Sequence, residues 1–204
     1  MKHPSEIKEI FDAISYAKGA SVIRMLEAFI GREVFAKGLQ QYLNKHSWAN
    51  ASTSDLWAAL EESSGKPVGS IMKNWTQEPG FPVLLISHVD GAPAGKQRVL
   101  IQQRRFLKTG IDVESTTIWS IPINVDCADP KENMSVLMQE REITLDLPSN
   151  GWVTLNPRST GVYRVNYSPE MWTQLIDAIR TQSLPATDRL ALQNDVRVML
   201  HYAE

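Results

Sequence analysis

FDAISYAKGASVIRML, residues Phe11 to Leu26, joins a helical pattern to residues that packing alone does not select. Val22, Met25, Leu26, Phe29 and Ile30 fall at i, i+3, i+4, i+7 and i+8, one buried face of an amphipathic helix. Asp12 is suited to cap its first turn and Gly31 to stop it. Gly19 breaks the pattern, because a helix-interior glycine costs about 1 kcal/mol against alanine, and its presence predicts a compensating close backbone approach. Tyr16 lies one turn earlier. A neutral phenol donates a hydrogen bond and suits an oxyanion forming on a substrate carbonyl. On residue chemistry alone, the favoured reading of the same tyrosine is a core-edge side chain with a satisfied hydroxyl.

Working outward, a second helix is expected over 32–45, with Val34, Phe35, Leu39, Tyr42 and Leu43 on its apolar side and Gly38 weakening it slightly. Thr53 is placed to cap a third helix, with Asp55 favouring its positive end and Gly65 and Pro67 closing it. A fourth, about Val68 to Thr76, presents Ile71, Met72 and Trp75 to the core before Pro79-Gly80-Phe81-Pro82 breaks it.

From Val83 the period changes from helical to extended. Residues 83–86, 98–101, 117–123, 135–138, 143–147, 152–155 and 162–167 are short apolar or β-branched runs between turn residues, a pattern that reads as a small β-sandwich. After Ser168-Pro169, a cap and first-turn pair, Trp172, Leu175, Ile176 and Ile179 return to helical spacing until Leu184-Pro185. A last helix is expected from Asp188 through Tyr202.

The run just quoted, then LWAALEESSGKPVGSIMKNWTQEPGFPVL (56–84), and later GVYRVNY (161–167) and LPATDRLALQND (184–195) closely resemble zinc aminopeptidases of the puromycin-sensitive type and their fungal relatives. The resemblance implies an α+β multidomain arrangement. Residues 1–80 would be the last helices of a thermolysin-like catalytic domain, 81–167 a β-sandwich domain, and 168–204 the start of a C-terminal helical domain with exposed apolar faces. It implies that Tyr16 is the catalytic tyrosine that donates its hydroxyl to the tetrahedral intermediate. It also implies zinc as cofactor and peptides as substrates, and that the chain begins inside the family's catalytic domain.

Two of the family's motifs are missing from the sequence: the His-Glu-x-x-His zinc helix and the Gly-x-Met-Glu-Asn segment that binds the substrate's amino group. His3, His46, His88 and His201 stand alone, without ligand spacing. The chain is therefore expected to hold no metal or cofactor of its own and to be inactive alone, with the missing catalytic portion as a partner. The alternative is a non-enzymatic protein-interaction module.

Other constellations fail. Gly91 to Gln97 is one residue short of a phosphate loop and lacks its Ser or Thr, so it reads as a hairpin turn; Ser21 lacks the closing glycine of a nucleophile elbow. Glu61-Glu62 and Asp126/Asp129 sit in polar stretches, Cys127 is a half-buried small residue, and Lys18 is expected in a structural ion pair. Six tryptophans, spread over all segments, are expected to anchor the core. A formal charge of −2 with scattered Lys and Arg argues against nucleic acid, no run approaches a membrane span, and a single cysteine excludes an internal disulfide and fits the cytosol.

Overall fold

Four helices come first in the computed structural model, which describes residues 13–107 and 109–201. They are α1 (Ala13–Ile30), α2 (Arg32–Lys45), α3 (Thr53–Ser64) and α4 (Val68–Gln77). The expected cap at Asp12 lies outside the described residues. Val22, Met25, Leu26 and Ile30 are buried and Phe29 packs against them, as the spacing requires. Gly31 ends α1 at φ 94°, a conformation glycine adopts without steric cost.

Between Gly19 and Gly38, the close approach belongs to Gly38. A Cβ there would collide with Ser63 Oγ and meet Leu60 Cδ2 at 2.9 Å and the Ala59 carbonyl oxygen at 3.1 Å. At Gly19 it would meet nothing within 4 Å, so the approach expected there is absent among the described residues. Backbone contact at Gly38 is how α2 meets α3, and this leaves part of its predicted apolar face outside: Leu43 is exposed. Trp48, in the turn after α2 at φ 59°, is fully exposed and not a core anchor. The cap of α3 is Ser52, one residue before Thr53; its N–H donates to Asp55 Oδ2 at 2.8 Å. Gly65 closes α3 in the left-handed conformation. Val68, Ile71, Met72 and Trp75 of α4 are buried.

Eight strands follow among the described residues: β1 (Phe81–Val89), β2 (Lys96–Leu107), β3 (Gly110–Asp112), β4 (Ile121–Cys127), β5 (Met134–Met138), β6 (Glu142–Pro148), β7 (Val153–Thr154) and β8 (Arg164–Asn166). β1 and β2 form an antiparallel hairpin, Phe81 opposite Phe106 and Val89 opposite Arg98, so the Gly91–Gln97 stretch is a turn. One sheet runs β3-β2-β1-β8, with β6 also paired to β2 and β8 parallel to β1; the other runs β5-β4-β7. Along β2, Gln97, Val99, Ile101 and Gln103 alternate inward. The strand β3 had no sequence signal, being only three residues long.

The run 117–123 is strand only from Ile121, because side chains hold its first half. Gln103 Oε1 accepts from Trp119 N–H at 2.8 Å and Gln103 Nε2 donates to the Trp119 carbonyl at 3.0 Å. Trp75 Nε1 donates to the Ser120 carbonyl at 3.0 Å, and Asn74 Nδ2 to that of Ile118. Likewise β7 ends at Thr154, since the Tyr167 hydroxyl accepts from Leu155 N–H at 3.0 Å and the Tyr163 hydroxyl donates to the Leu155 carbonyl at 2.6 Å.

Helix α5 (Pro169–Arg180) starts at Ser168, whose Oγ accepts from Met171 N–H, with Pro169 in the first turn. It ends at Arg180, short of Leu184, and α6 (Ala186–His201) begins two residues before Asp188. One buried cluster joins α1, α4, both sheets and α5. α6 is held to β8 by Arg164 Nη1 and Asp195 Oδ1 at 2.8 Å, while Asp195 Oδ2 accepts from Val165 N–H at 3.2 Å. Its outer residues Leu190, Val196 and Leu200 are exposed, as is Ile176 on α5.

Two expectations follow from these contacts. Gly19→Ala raises stability by up to about 1 kcal/mol, whereas Gly38→Val lowers it by about 1–3 kcal/mol through overpacking; urea denaturation measures both, and a reversed order refutes the assignment of the close approach. Burial holds the Asp195 carboxyl above its ordinary value, opposed by the Val165 N–H and Arg164. Removing the guanidinium raises it further. Arg164→Met therefore costs stability at pH 7, toward the lower end of the about 3–5 kcal/mol of a broken buried pair. The deficit shrinks as pH falls through the folded-state pKa and the carboxyl takes up its proton. A deficit that is constant from pH 7 to pH 5 contradicts this account.

Candidate functional site

Tyr16 lies in the first turn of α1 and is 62% exposed. Ala17, Gly19, Ala20 and Ser21 around it are also exposed, while Val22, Met25 and Leu26 fasten the helix into the core. The phenol thus stands on a rigid element with its ring toward solvent. Its exposure sets it apart from the core-edge tyrosine that residue chemistry alone favoured.

The neighbours of Tyr16 on α1 attach the helix to the rest of the chain. Lys18 Nζ donates to the Glu78 carbonyl at 3.3 Å, and the ion pair expected of it is not found among the described residues. Ser21 is exposed and its hydroxyl donates to the Ala17 carbonyl at 2.7 Å. Arg24 Nη2 donates to the Arg158 carbonyl at 3.1 Å. Met25 Sδ accepts from Val162 N–H at 3.4 Å. At the far end Lys66 Nζ donates to the Phe29 carbonyl at 2.6 Å and sits 3.8 Å from the Phe29 ring centroid. Burial lowers the Lys66 pKa.

A cleft of about 570 Å³ opens beside α1, lined by Arg24, Glu27, Asn124, Asp126 and Arg158 among others. A second, of about 270 Å³, lies between residues 154–167 and α6, with Arg164, Asp188 and Asp195 at its wall. Burial raises the Asp188 carboxyl above its ordinary value, against the N–H of Arg158, which donates to Asp188 Oδ1. Sequence reasoning missed this grouping. The turn composition of 156–161 announces a loop, but nothing in it says that Arg158 and Ser159 adopt positive φ.

The remaining candidates do not assemble a site among the described residues, outside which His3 lies. No group of three or more His, Cys, Asp or Glu that could hold a metal exists among the described residues. His88 Nδ1 lies 3.1 Å from Ser168 Oγ and 3.3 Å from Glu170 Oε2. Serine and carboxylate thus share one ring nitrogen, unlike a catalytic triad, in which they engage opposite nitrogens, and Ser168 is occupied as a helix cap. Cys127 is fully buried; burial first, then Glu132 and Asp126, pushes its thiol up to about 11, so it stays protonated at neutral pH. Among the described residues no helix is long and apolar enough to cross a membrane.

Residues 1–75 match the Peptidase family M1 domain, and residues 152–204 match an ERAP1-like C-terminal domain. The second match takes in β7 and β8 as well as α5 and α6. The chain is 40% identical over 205 residues to puromycin-sensitive aminopeptidase of Caenorhabditis elegans, covering 98% of this chain and 21% of that protein. It is 39% identical to aminopeptidase 2 of Candida albicans (96% and 21%). With Saccharomyces cerevisiae "aminopeptidase 2, mitochondrial" it shares 38% identity (98% and 20%). The chain spans about a fifth of the length of the curated relatives it matches. Its first 75 residues are thus similar to the M1 peptidase domain, and nearly its whole length is similar to puromycin-sensitive and fungal aminopeptidases.

Proposed function

We propose that the chain is part of a zinc-dependent aminopeptidase that removes N-terminal amino acids from peptides. In this reading residues 1–80 are the last helices of its catalytic domain, 81–167 a β-sandwich domain and 168–204 the beginning of a C-terminal helical domain. The enzyme works in the cytosol, for which the single, buried, protonated cysteine is the support. Its partners are peptide substrates and the remaining catalytic portion, not nucleic acid or membrane.

The chain's own contribution is Tyr16. Its phenol hydroxyl is a hydrogen-bond donor, and it meets negative charge as that charge develops on the oxygen of the scissile carbonyl. The observation that carries this reading is the exposure of Tyr16 on a helix whose opposite face is locked in the core. Donors fixed before reaction need no reorganisation when charge appears, which is where such groups gain their effect. The family's zinc does not fit the residues present: no donor cluster exists among the described residues and no His-Glu-x-x-His occurs in the sequence. Those ligands belong to the remainder of the enzyme.

A second reading, a non-enzymatic interaction module, is supported by the exposed Leu190, Val196 and Leu200 on α6. The two readings separate on activity. In a full-length aminopeptidase carrying this segment, Tyr16→Phe lowers kcat by about 10²–10³, the cost of one oxyanion donor, with zinc content and folding unchanged. Unaltered turnover removes Tyr16 from the mechanism. The 204-residue chain alone, given zinc and an aminoacyl reporter amide, shows no turnover; metal-dependent hydrolysis at an ordinary enzyme rate overturns the division of labour.

A further inference from the structure

Arg158 adopts φ 56° and ψ 20°, and Ser159 follows at φ 49°. Two consecutive non-glycine residues in the left-handed region persist only where surrounding contacts over-determine them. Here those contacts come from opposite ends of the chain. The Arg158 N–H donates to Asp188 Oδ1, in the first turn of α6, and the Arg158 carbonyl accepts from Arg24 Nη2 of α1 at 3.1 Å. The two backbone groups flank one Cα, so φ and ψ of Arg158 fix the angle between them. Turning Arg158 to the right-handed region would swing one group off its partner.

The loop around it is held as well. Asn156 Nδ2 donates to the carbonyls of Gly161 and Tyr163, both at 3.1 Å, and Asn156 Oδ1 accepts from Gly161 N–H at 2.8 Å. Asp188 is 4% exposed, so its hydrogen bond is shielded from competing water. Arg24 lies eight residues after Tyr16 on the same helix, about 12 Å along its axis at 1.5 Å per residue.

We propose that Arg158 is a strained latch through which the seating of α6 fixes the position of α1, and with it the Tyr16 phenol. Arg24 and Asp188 are then positioning residues, acting on the reaction only through that helix. The link to Tyr16 rests on the function proposed above; the latch itself does not.

The test uses amide hydrogen exchange on the 204-residue chain. Asp188→Ala, a change on α6, accelerates exchange in the first two described turns of α1 by about tenfold, and Arg24→Met, on α1, does the same at residues 186–190. The double variant adds little to either single one, because both break the same latch. Asp188→Asn, which keeps an acceptor oxygen, and Arg158→Gly, which adopts positive φ freely, retain the native pattern. Effects confined to the mutated element, or multiplying independently in the double variant, overturn the latch. Arg24→Met is a surface change that leaves the core intact, so it gives a folded variant on which to judge. In a full-length aminopeptidase carrying this segment, Arg24→Met lowers kcat about tenfold with KM unchanged and Arg24→Lys restores part of it; if exchange shows the latch and kcat is unmoved, it is the Tyr16 assignment that fails.

Discussion

Gln103 is completely buried and its amide serves three backbone groups: the N–H and carbonyl of Trp119 and the carbonyl of Glu140. Buried backbone groups have to be paired, and where a segment leaves the ladder only a side chain or water can do it. Each group left unpaired in a dry interior costs about 1–3 kcal/mol. This constraint governs the junction of helices and sheets here. Asn74 and Trp75, from α4, take the carbonyls on either side of Trp119, so helix, strand and connector are tied by hydrogen bonds at the place where their apolar surfaces also meet. Trp75 and Trp119 pack with centroids 6.4 Å apart in the same place.

The same constraint explains which elements could be read in the sequence. Periodicity reports which side chains leave water, and the buried faces of α1 and α4 and the inward alternation of β2 follow from it. It does not report where backbone groups find partners. The apolar runs at 117–120 and at 155 have the composition of strands and are paired by Gln103, Tyr163 and Tyr167 instead. Likewise, Ser52 and Thr53 are both competent caps, and what separates them is the N–H of Ser52 reaching Asp55. No single-sequence pattern carries that choice.

The candidate site was legible by a different route. Helical spacing placed Tyr16 on α1 but gave no reason to prefer it over other tyrosines, and only resemblance to a family singled it out. The structure adds that its ring is exposed while Tyr163 and Tyr167 are buried. Arg158, Asp188 and Arg24 were invisible because their relation is conformational. Arginine in a left-handed turn has no compositional signature, and its two partners are 30 residues downstream and 134 upstream.

Disagreement between local preference and fold collects where a sequence serves something other than stability. Gly38 shows the structural kind: its missing side chain is filled by α3, so the helix-propensity cost is offset by packing. Gly19 has no such offset among the described residues. On a helix with about 100° between residues, Gly19 and Ala20 fall either side of Tyr16, within roughly 60° of it. The α1 surface around the phenol is therefore low, while the reverse face carries Val22 and Met25 into the core. A bulky residue at either position would shield the ring from anything approaching along the helix. A glycine that weakens its own helix and leaves the ring accessible fits a surface open to close approach by another body, which the role proposed for Tyr16 requires.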